Sequence, residues 1–541
     1  MRPARNRATA VGAVVALSLV AAACGGDDGS DTAEGAETAT TAAAETATTA
    51  EAPATTEAET ATTKASAPAK TPQSIEEWEE LWATERAAVV DKIKKNKWGK
   101  TADGTKVVGP EGFTIDLTTC PAGWSDTEGL TDTEIKIGNP TALSGTAADF
   151  GNISKTTAAW FEYLGEKGAF TDSEGKNRKV NYIVRDDGYD ATRTIPLVDE
   201  LMDSEKSFLI QTLGTPGGLK VYDKLNERCI PHPFEISGSP AWGDPENHPW
   251  TSGSLLSYLT EAVIWGAFID QHIDELTADG GKVRIAALVA ESDFGAAYEG
   301  AMRSVIESSP NKDKIEFEFE RLPITAPTIT DAMTTLASKN PNIFITMTGA
   351  VQCTQIINEI ANNGMDATLK YKFMSSVCKS SAYVGKDKVG GDGSQSNGWY
   401  IVGGGQKDIV TAAGQGDAFS KWAIDFLAEA GHDAKLSSNF GNGFYQAWML
   451  SQTLQIAGEL DGGLTRTNFI TAMRAFEGTS PVHLDGIKIN LNGNADGYPL
   501  EGSDLSVYDS AKQAWVVQGD IIELSGKSPN CAWDPSVNNC G

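Results

Sequence analysis

Apolar and polar positions along this chain alternate with two periods, one of about 2 and one of about 3.6, and the switches between them mark its elements. Residues 208–213 (FLIQTL) form a short, mostly apolar run with no helical stop, which predicts a buried strand. Gly214-Thr215-Pro216-Gly217-Gly218 then demands a tight turn, since glycine alone accepts positive φ at little cost. Leu219, Val221, Tyr222 and Leu225 follow at helical spacing, and Cys229-Ile230-Pro231 breaks them before a second extended run over 233–236. Strand, turn, helix and strand make a βαβ unit, so the loops 214–218 and 237–244 open on one edge of a parallel sheet. Small molecules bind outside the carboxyl ends of such strands. Bare backbone with the hydroxyls of Thr215, Ser237 and Ser239 suits a carboxylate held at a helix N-terminus.

The same alternation runs on either side. Strands are predicted over 134–138, 180–184, 283–289, 315–319, 343–346, 373–377 and 399–402, with a hairpin of 505–508 and 514–517. Helices are predicted from Phe150-Gly151 through Trp160, Phe161 and Leu164, and from Asp190 as N-cap through Leu197 and Leu201. Others cover 255–273, 330–337, 352–361 and the aromatic-rich 442–457 (Phe444, Tyr445, Trp448). Strands alternating with helices predict α/β lobes, each a parallel sheet flanked by helices. The adjacent Asp186 and Asp187 invite an acid–base reading. They read better as part of the turn that Asp190 closes.

Ahead of this body, Ser74-Ile75-Glu76-Glu77 is a capping box. Ile75, Trp78, Trp82, Val89 and Ile93 form one helical face, and early Glu with late Lys suits the helix dipole. Residues 27–72 are Thr, Ala and Glu in repetition; they cannot bury enough apolar surface to order, and read as a tether reaching on the order of 35–40 Å. Arg2, Arg5 and Arg7 precede an apolar stretch over 8–23, the pattern of a secretory signal. It ends Ala21-Ala22-Ala23-Cys24-Gly25, which resembles a bacterial lipobox, with Ala21 where leucine is usual. Lipidation of Cys24 would anchor the chain to the outer face of the cell membrane. The expected organisation is signal peptide 1–23, tether 24–73, amino-terminal extension 74–131, first lobe 132–249 with 404–486, second lobe 250–403 with 487–525, and tail 526–541.

Charge and cysteine then narrow the partners. A net charge of −29 leaves no basic face for phosphates and excludes nucleic acid. Seven cysteines leave six once Cys24 is set aside, an even number in an exported chain. Cys531 lies near Cys540 in sequence, and Cys353 and Cys378 both fall on the site edge of the second sheet. That leaves Cys120 with Cys229. No C-x-x-C occurs and the five histidines are scattered, so neither a metal nor a cofactor is expected. H-E-x-x-H, G-x-S-x-G and P-loop motifs are absent. The calcium-like run from Asn492 has Ser503 where glutamate is required. No enzyme is expected.

The runs L-G-T-P-G-G-L-x-V-Y-D (213–223), S-G-S-P-A-W-G-D-P (237–245) and H-P-W-T-x-G (248–253) resemble the type I periplasmic binding proteins, the leucine/isoleucine/valine-binding group of ABC-importer receptors. The resemblance spans roughly 131–520. It implies a monomeric two-lobed α/β fold with an interlobe cleft, capture of a small solute such as a branched-chain amino acid, and delivery to ABC permease subunits. It also implies ligand contacts at the Ser144 loop, at Thr215, Ser237 and Ser239, at Phe294 in Glu291-Ser292-Asp293-Phe294-Gly295, and at Thr348-Gly349-Ala350. Rival classes are a sensor using the same clamshell, and a hydrolase.

One departure bears on the solute. Amino-acid binders of the family place a glutamate after F-M-x-x, where it meets the ligand ammonium. Here Phe373-Met374-Ser375-Ser376 is followed by Val377. A zwitterion would need another acid, with Glu235, Glu291 and Asp293 the candidates. Trp242, Phe294 and Tyr445 are candidate aromatic walls, and a neutral amide or an aromatic or aliphatic carboxylate is the alternative solute.

Overall fold

The computed structural model describes residues 71–541 except 412, 413, 535, 538 and 541. The expected signal peptide, Cys24 and nearly all of the tether lie outside the described residues.

Two sheets carry the fold. The first orders Phe170–Thr171, Asn177–Asp186, Glu134–Thr141 and Leu209–Ile210, the last three parallel, and a parallel bridge from Leu213 to Ile236 extends it to His232–Glu235 and Thr251–Gly253. The second has seven strands in the order Ile315–Leu322, Val283–Ala290, Ile343–Met347, Tyr371–Met374, Trp399–Val402, Leu505–Asp509 and Ala514–Val517. Its first five strands are parallel and the terminal hairpin is antiparallel. Val283–Ala290 is buried almost throughout because helices cover both of its faces, as its apolar run, interrupted only by Arg284, requires.

Several elements differ from expectation at their ends. The 208–213 run is buried throughout but pairs as strand only over Leu209–Ile210. The helix after Gly214 is two short helices, Thr215–Leu219 and Tyr222–Glu227, because the chain leaves helical geometry at Val221. The helix expected over 255–273 starts at Tyr258, where Ser257 caps it by accepting from Leu259 N. Ser74 and Asp190 cap as expected, accepting from Glu77 N and Thr192 N. The strand expected over 373–377 ends at Met374 and turns into the 3-10 segment Ser376–Cys378.

Asn439–Glu459 packs beside Gly151–Glu166, and Ala418–Glu429 meets the same helix through Trp422 and Phe426 against Trp160. Ile489–Asn490 pairs with Glu477–Gly478, so the last passage to the second sheet comes between Leu500 and Leu505, not near Gly486. Hydrogen bonding keeps that stretch with the first lobe.

The amino-terminal extension is part of the first lobe's core. Trp78 and Trp82 of helix Ile75–Asn96 are buried against Phe419, Trp160 and Trp448. Trp82 Nε1 donates to Thr479 O at 2.9 Å. Buried tryptophans contribute large apolar area. Cys120–Cys229 ties the extension to the first lobe, and Cys353–Cys378 and Cys531–Cys540 close the other pairs. Among the described residues, no helix is long and apolar enough to cross a membrane.

Candidate functional site

A cavity with about 810 Å³ of empty space, part of it open to solvent, lies between the carboxyl ends of the two sheets. Its apolar wall comes from Phe150, Ile153, Leu213, Ile236, Leu255, Leu256, Val377 and Leu500. Its polar lining is Tyr189, Tyr258, Ser376, Lys379, Ser380, Gln406, Asn439, Asn442, Tyr445 and His483. The lobes touch around it. Asp149 accepts from Ser437 and Asn439 of the first lobe, at 2.8 and 2.7 Å, and from Ser380 of the second at 3.4 Å.

Lys379 is the one ionised side chain of the lining; no Asp or Glu is among those residues. Its ammonium donates to Gly403 O at 3.1 Å and Gln406 O at 2.7 Å, with Asp504 at 3.7 Å. Gly403 is required there, since a Cβ would stand 2.6 Å from Asp504 and collide with the ammonium. Tyr189 holds φ at 64° and packs on Phe150. Gly214, at φ 96°, leaves room for the Tyr189 ring. Tyr445 donates to Ser254 O at 3.0 Å and meets His483 edge-on at 4.6 Å. Burial pulls the His483 imidazole down to about 3, so it lines the cavity as a neutral ring.

Beneath the floor, Glu261 is fully buried. It accepts from Tyr298 OH at 2.8 Å, Ser376 N at 3.0 Å and Ser376 Oγ at 2.6 Å. Burial pushes its carboxyl up to about 7, against the pull of these donors.

The sequence-predicted residues lie one layer behind or apart. Thr215 Oγ1 is 2.7 Å from Ser237 Oγ, which accepts from Ser239 N at 3.2 Å; all three side chains are buried behind Gly214 and Ile236. Ser144 is exposed and donates to Asp186 at 2.6 Å. Phe294 packs on Tyr258 and Tyr298. Thr348 donates to Gln352 at 2.6 Å, Ala350 starts its helix at φ 55°, and Gly349 has space for a Cβ only 3.2 Å from Val377. None of these eight is among the residues lining the cavity. Of the proposed aromatic walls Tyr445 lines it, while Trp242 is core against Tyr222 and His232. None of the three candidate acids reaches it: Glu235 is buried with Thr212 and His232, Asp293 pairs with Lys220, and Glu291 borders a separate groove with Arg321.

Lys379, Ser376, Asn442, His483 and Glu261 were not found by sequence reasoning. The first two had a usable signal, for they sit in the loop after a strand's carboxyl end. The lining is thus an apolar pocket with one cation, amides and hydroxyls. It can orient a small polar-ended molecule.

Comparison with known proteins agrees. A family model described as periplasmic binding protein matches residues 134–492. No curated protein matches. A fatty acid ABC transporter substrate-binding protein from Thermomonospora curvata shares 17% identity and a TM-score of 0.59, covering 74% of this chain and 96% of that one. A branched chain amino acid ABC transporter protein from Thermus thermophilus with bound valine shares 14% identity and a TM-score of 0.58, covering 73% and 97%. An R. palustris solute binding protein in complex with 4-hydroxybenzoate shares 16% identity and a TM-score of 0.57, covering 72% and 97%. Likeness at such identity carries the fold; with the matched family model and the cleft between two α/β lobes, it places this chain in the periplasmic binding protein family.

Proposed function

We propose that this protein is the extracytoplasmic receptor of an ABC importer and captures a small carboxylate with an apolar body. The observation that carries this is the lining itself: a lysine, amides and hydroxyls against an apolar wall, without an acid. An ammonium buried there without a partner costs several kcal/mol, whereas a carboxylate meets Lys379. The ligands named for the fatty-acid and 4-hydroxybenzoate relatives are carboxylates without an ammonium group, whereas valine carries one. The branched-chain amino acid expected from resemblance therefore yields to the carboxylate. Thr215 and Ser237 act in this reading through Tyr258, whose hydroxyl they meet. The lobes close on the solute by hinge motion about Gly403 and Gly404. Anchoring through lipid on Cys24 at the outer face of the cell membrane, action as a monomer, and delivery to permease subunits complete the proposal.

Calorimetry with leucine, its deaminated keto acid, octanoate, benzoate and 4-hydroxybenzoate tests it. At least one acid without an ammonium group is expected to bind, and leucine is not. Tight binding of leucine without the keto acid overturns the reading.

A further inference from the structure

We infer that Glu261 is a positioning residue that makes Ser376 a hydrogen-bond acceptor toward the ligand, so the cleft selects a solute that carries an O–H or N–H donor. The inference deepens the receptor reading and rests on it for the place of the site. Ser376 lines the cavity, yet its hydroxyl proton is directed away from it, onto Glu261 Oε1 at 2.6 Å. The other carboxylate oxygen takes Ser376 N–H at 3.0 Å, and Tyr298 OH adds a third donor at 2.8 Å. A serine hydroxyl has one proton and two lone pairs. With the proton committed to a carboxylate, which accepts only, what Ser376 offers the cavity is lone pairs. A ligand acceptor placed there would face an acceptor, and an apolar group would leave the oxygen dry and unpartnered.

Glu261 comes from helix Tyr258–Gln271, and nothing in the loop that carries Ser376 announces it. The groups that face it are Tyr298 of helix Asp293–Ser308, Ser376 of the turn after the fourth strand of the second sheet, and Tyr258 near Tyr298 on its own helix. No lysine, arginine or histidine is among its partners. Its charge is therefore held by hydroxyls and one amide alone, in a buried place that pushes its carboxyl up to about 7. On protonation Glu261 becomes a donor, the Ser376 proton is freed, and the preference for a donor-bearing ligand weakens.

The test uses the full chain and three probes: 4-hydroxybenzoate, benzoate and leucine. Calorimetry at about pH 8 and about pH 5.5 compares wild type with Ser376→Ala and the isosteric Glu261→Gln. At the higher pH, wild type is expected to hold 4-hydroxybenzoate at least tenfold more tightly than benzoate. That ratio is expected to fall below threefold in both variants, and in wild type at the lower pH. An unchanged ratio in Ser376→Ala, or no ratio in wild type, overturns the inference. If leucine alone binds, the carboxylate reading fails; the inference then stands if Ser376→Ala weakens leucine tenfold and falls if it does not. Binding of none of the three overturns both.

Discussion

The guanidinium of Arg474 lies over the ring of Phe113, 5.1 Å from its centre, and this contact joins the amino-terminal extension to the helix Arg466–Arg474. Nη2 of Arg474 donates to Pro249 O at 3.0 Å and Thr251 O at 2.6 Å, while Nε and Nη1 are buried without a hydrogen-bond partner. The aromatic face is what stabilises that side of the charge. Phe113→Ala is expected to cost about 3–5 kcal/mol in denaturant unfolding, since it opens a cavity and strips the cation of its ring. Phe113→Tyr keeps the ring and is expected to cost far less. A loss under about 1 kcal/mol for the alanine variant would show that the Phe113–Arg474 contact is dispensable.

Lys220 and Asp293 form a 3.2 Å ion pair from one lobe to the other, and both side chains are partly exposed. Such a pair contributes roughly 0.2–1 kcal/mol and is screened by salt. Lys220→Ala is expected to raise the ligand dissociation rate by no more than about fivefold at low ionic strength. Stopped-flow release should show the difference fading as salt is added. A salt-independent change would mean that the pair acts through packing instead.

Gly214 stands at φ 96°, and a Cβ on it would collide with the ring of Tyr189, a cavity-lining side chain. Gly214→Ala is therefore expected to act twice. The backbone strain costs about 1–3 kcal/mol of stability. The displaced ring also fills the cleft, so ligand affinity should fall about tenfold or more. Calorimetry on variant that remains folded by circular dichroism separates the two effects.

Cys353 and Cys378 are both fully buried, and their bond closes a span of 25 residues. A loop of that length is stabilised by about 3 kcal/mol through the unfolded chain. The double change to serine is expected to lower unfolding stability by about that amount. Peptide mapping without reduction checks the pairing directly, and free thiol at Cys353 would contradict it.

Local periodicity made most of the fold legible. The second strand of the second sheet, expected over 283–289, is Val283–Ala290, because a strand buried on both faces must be apolar on both, as this one is beyond Arg284. Ser74 and Asp190 were readable as caps because capping is satisfied within four residues. The cleft was less legible. Thr215, Ser237 and Ser239 lie in the expected loops, but the first two hydroxyls bond each other, the Ser239 hydroxyl accepts from Ala241 N, and no sequence pattern says which oxygen is left for a ligand. Glu261 is one of two acids in a largely apolar helix and reads as a surface position. Only the approach of Ser376 and Tyr298 from other elements reveals its place.

Two buried acids set the last expectation. Burial pushes Glu261 up to about 7, and burial with the neighbouring Glu501 pushes Asp496 to about 7 as well. A carboxyl whose folded pKa is raised binds its proton more tightly in the folded state. Its contribution to stability is full below the unfolded value, about 4, and is lost as pH rises through 7. For the fully buried Glu261 the loss is on the order of 3 kcal/mol. Asp172, Asp186 and Asp244 shift the other way, held low by their hydrogen-bond donors in spite of burial. Their contributions are lost only as pH falls below the ordinary carboxylate range, outside this window. His248, raised by Asp244 and Asp223 against burial, loses its contribution as pH rises and so adds to the same trend, while the buried His483, held low, opposes it because its imidazole takes a proton only on unfolding as pH falls below about 6.5. Ligand-free urea unfolding is therefore expected to show lower stability at about pH 8 than at about pH 5. Glu261→Gln and Asp496→Asn should each flatten that slope, and a slope unchanged in both variants would place its origin in His248 or in the other carboxyls that burial raises, Glu79, Glu85, Asp187 and Asp408.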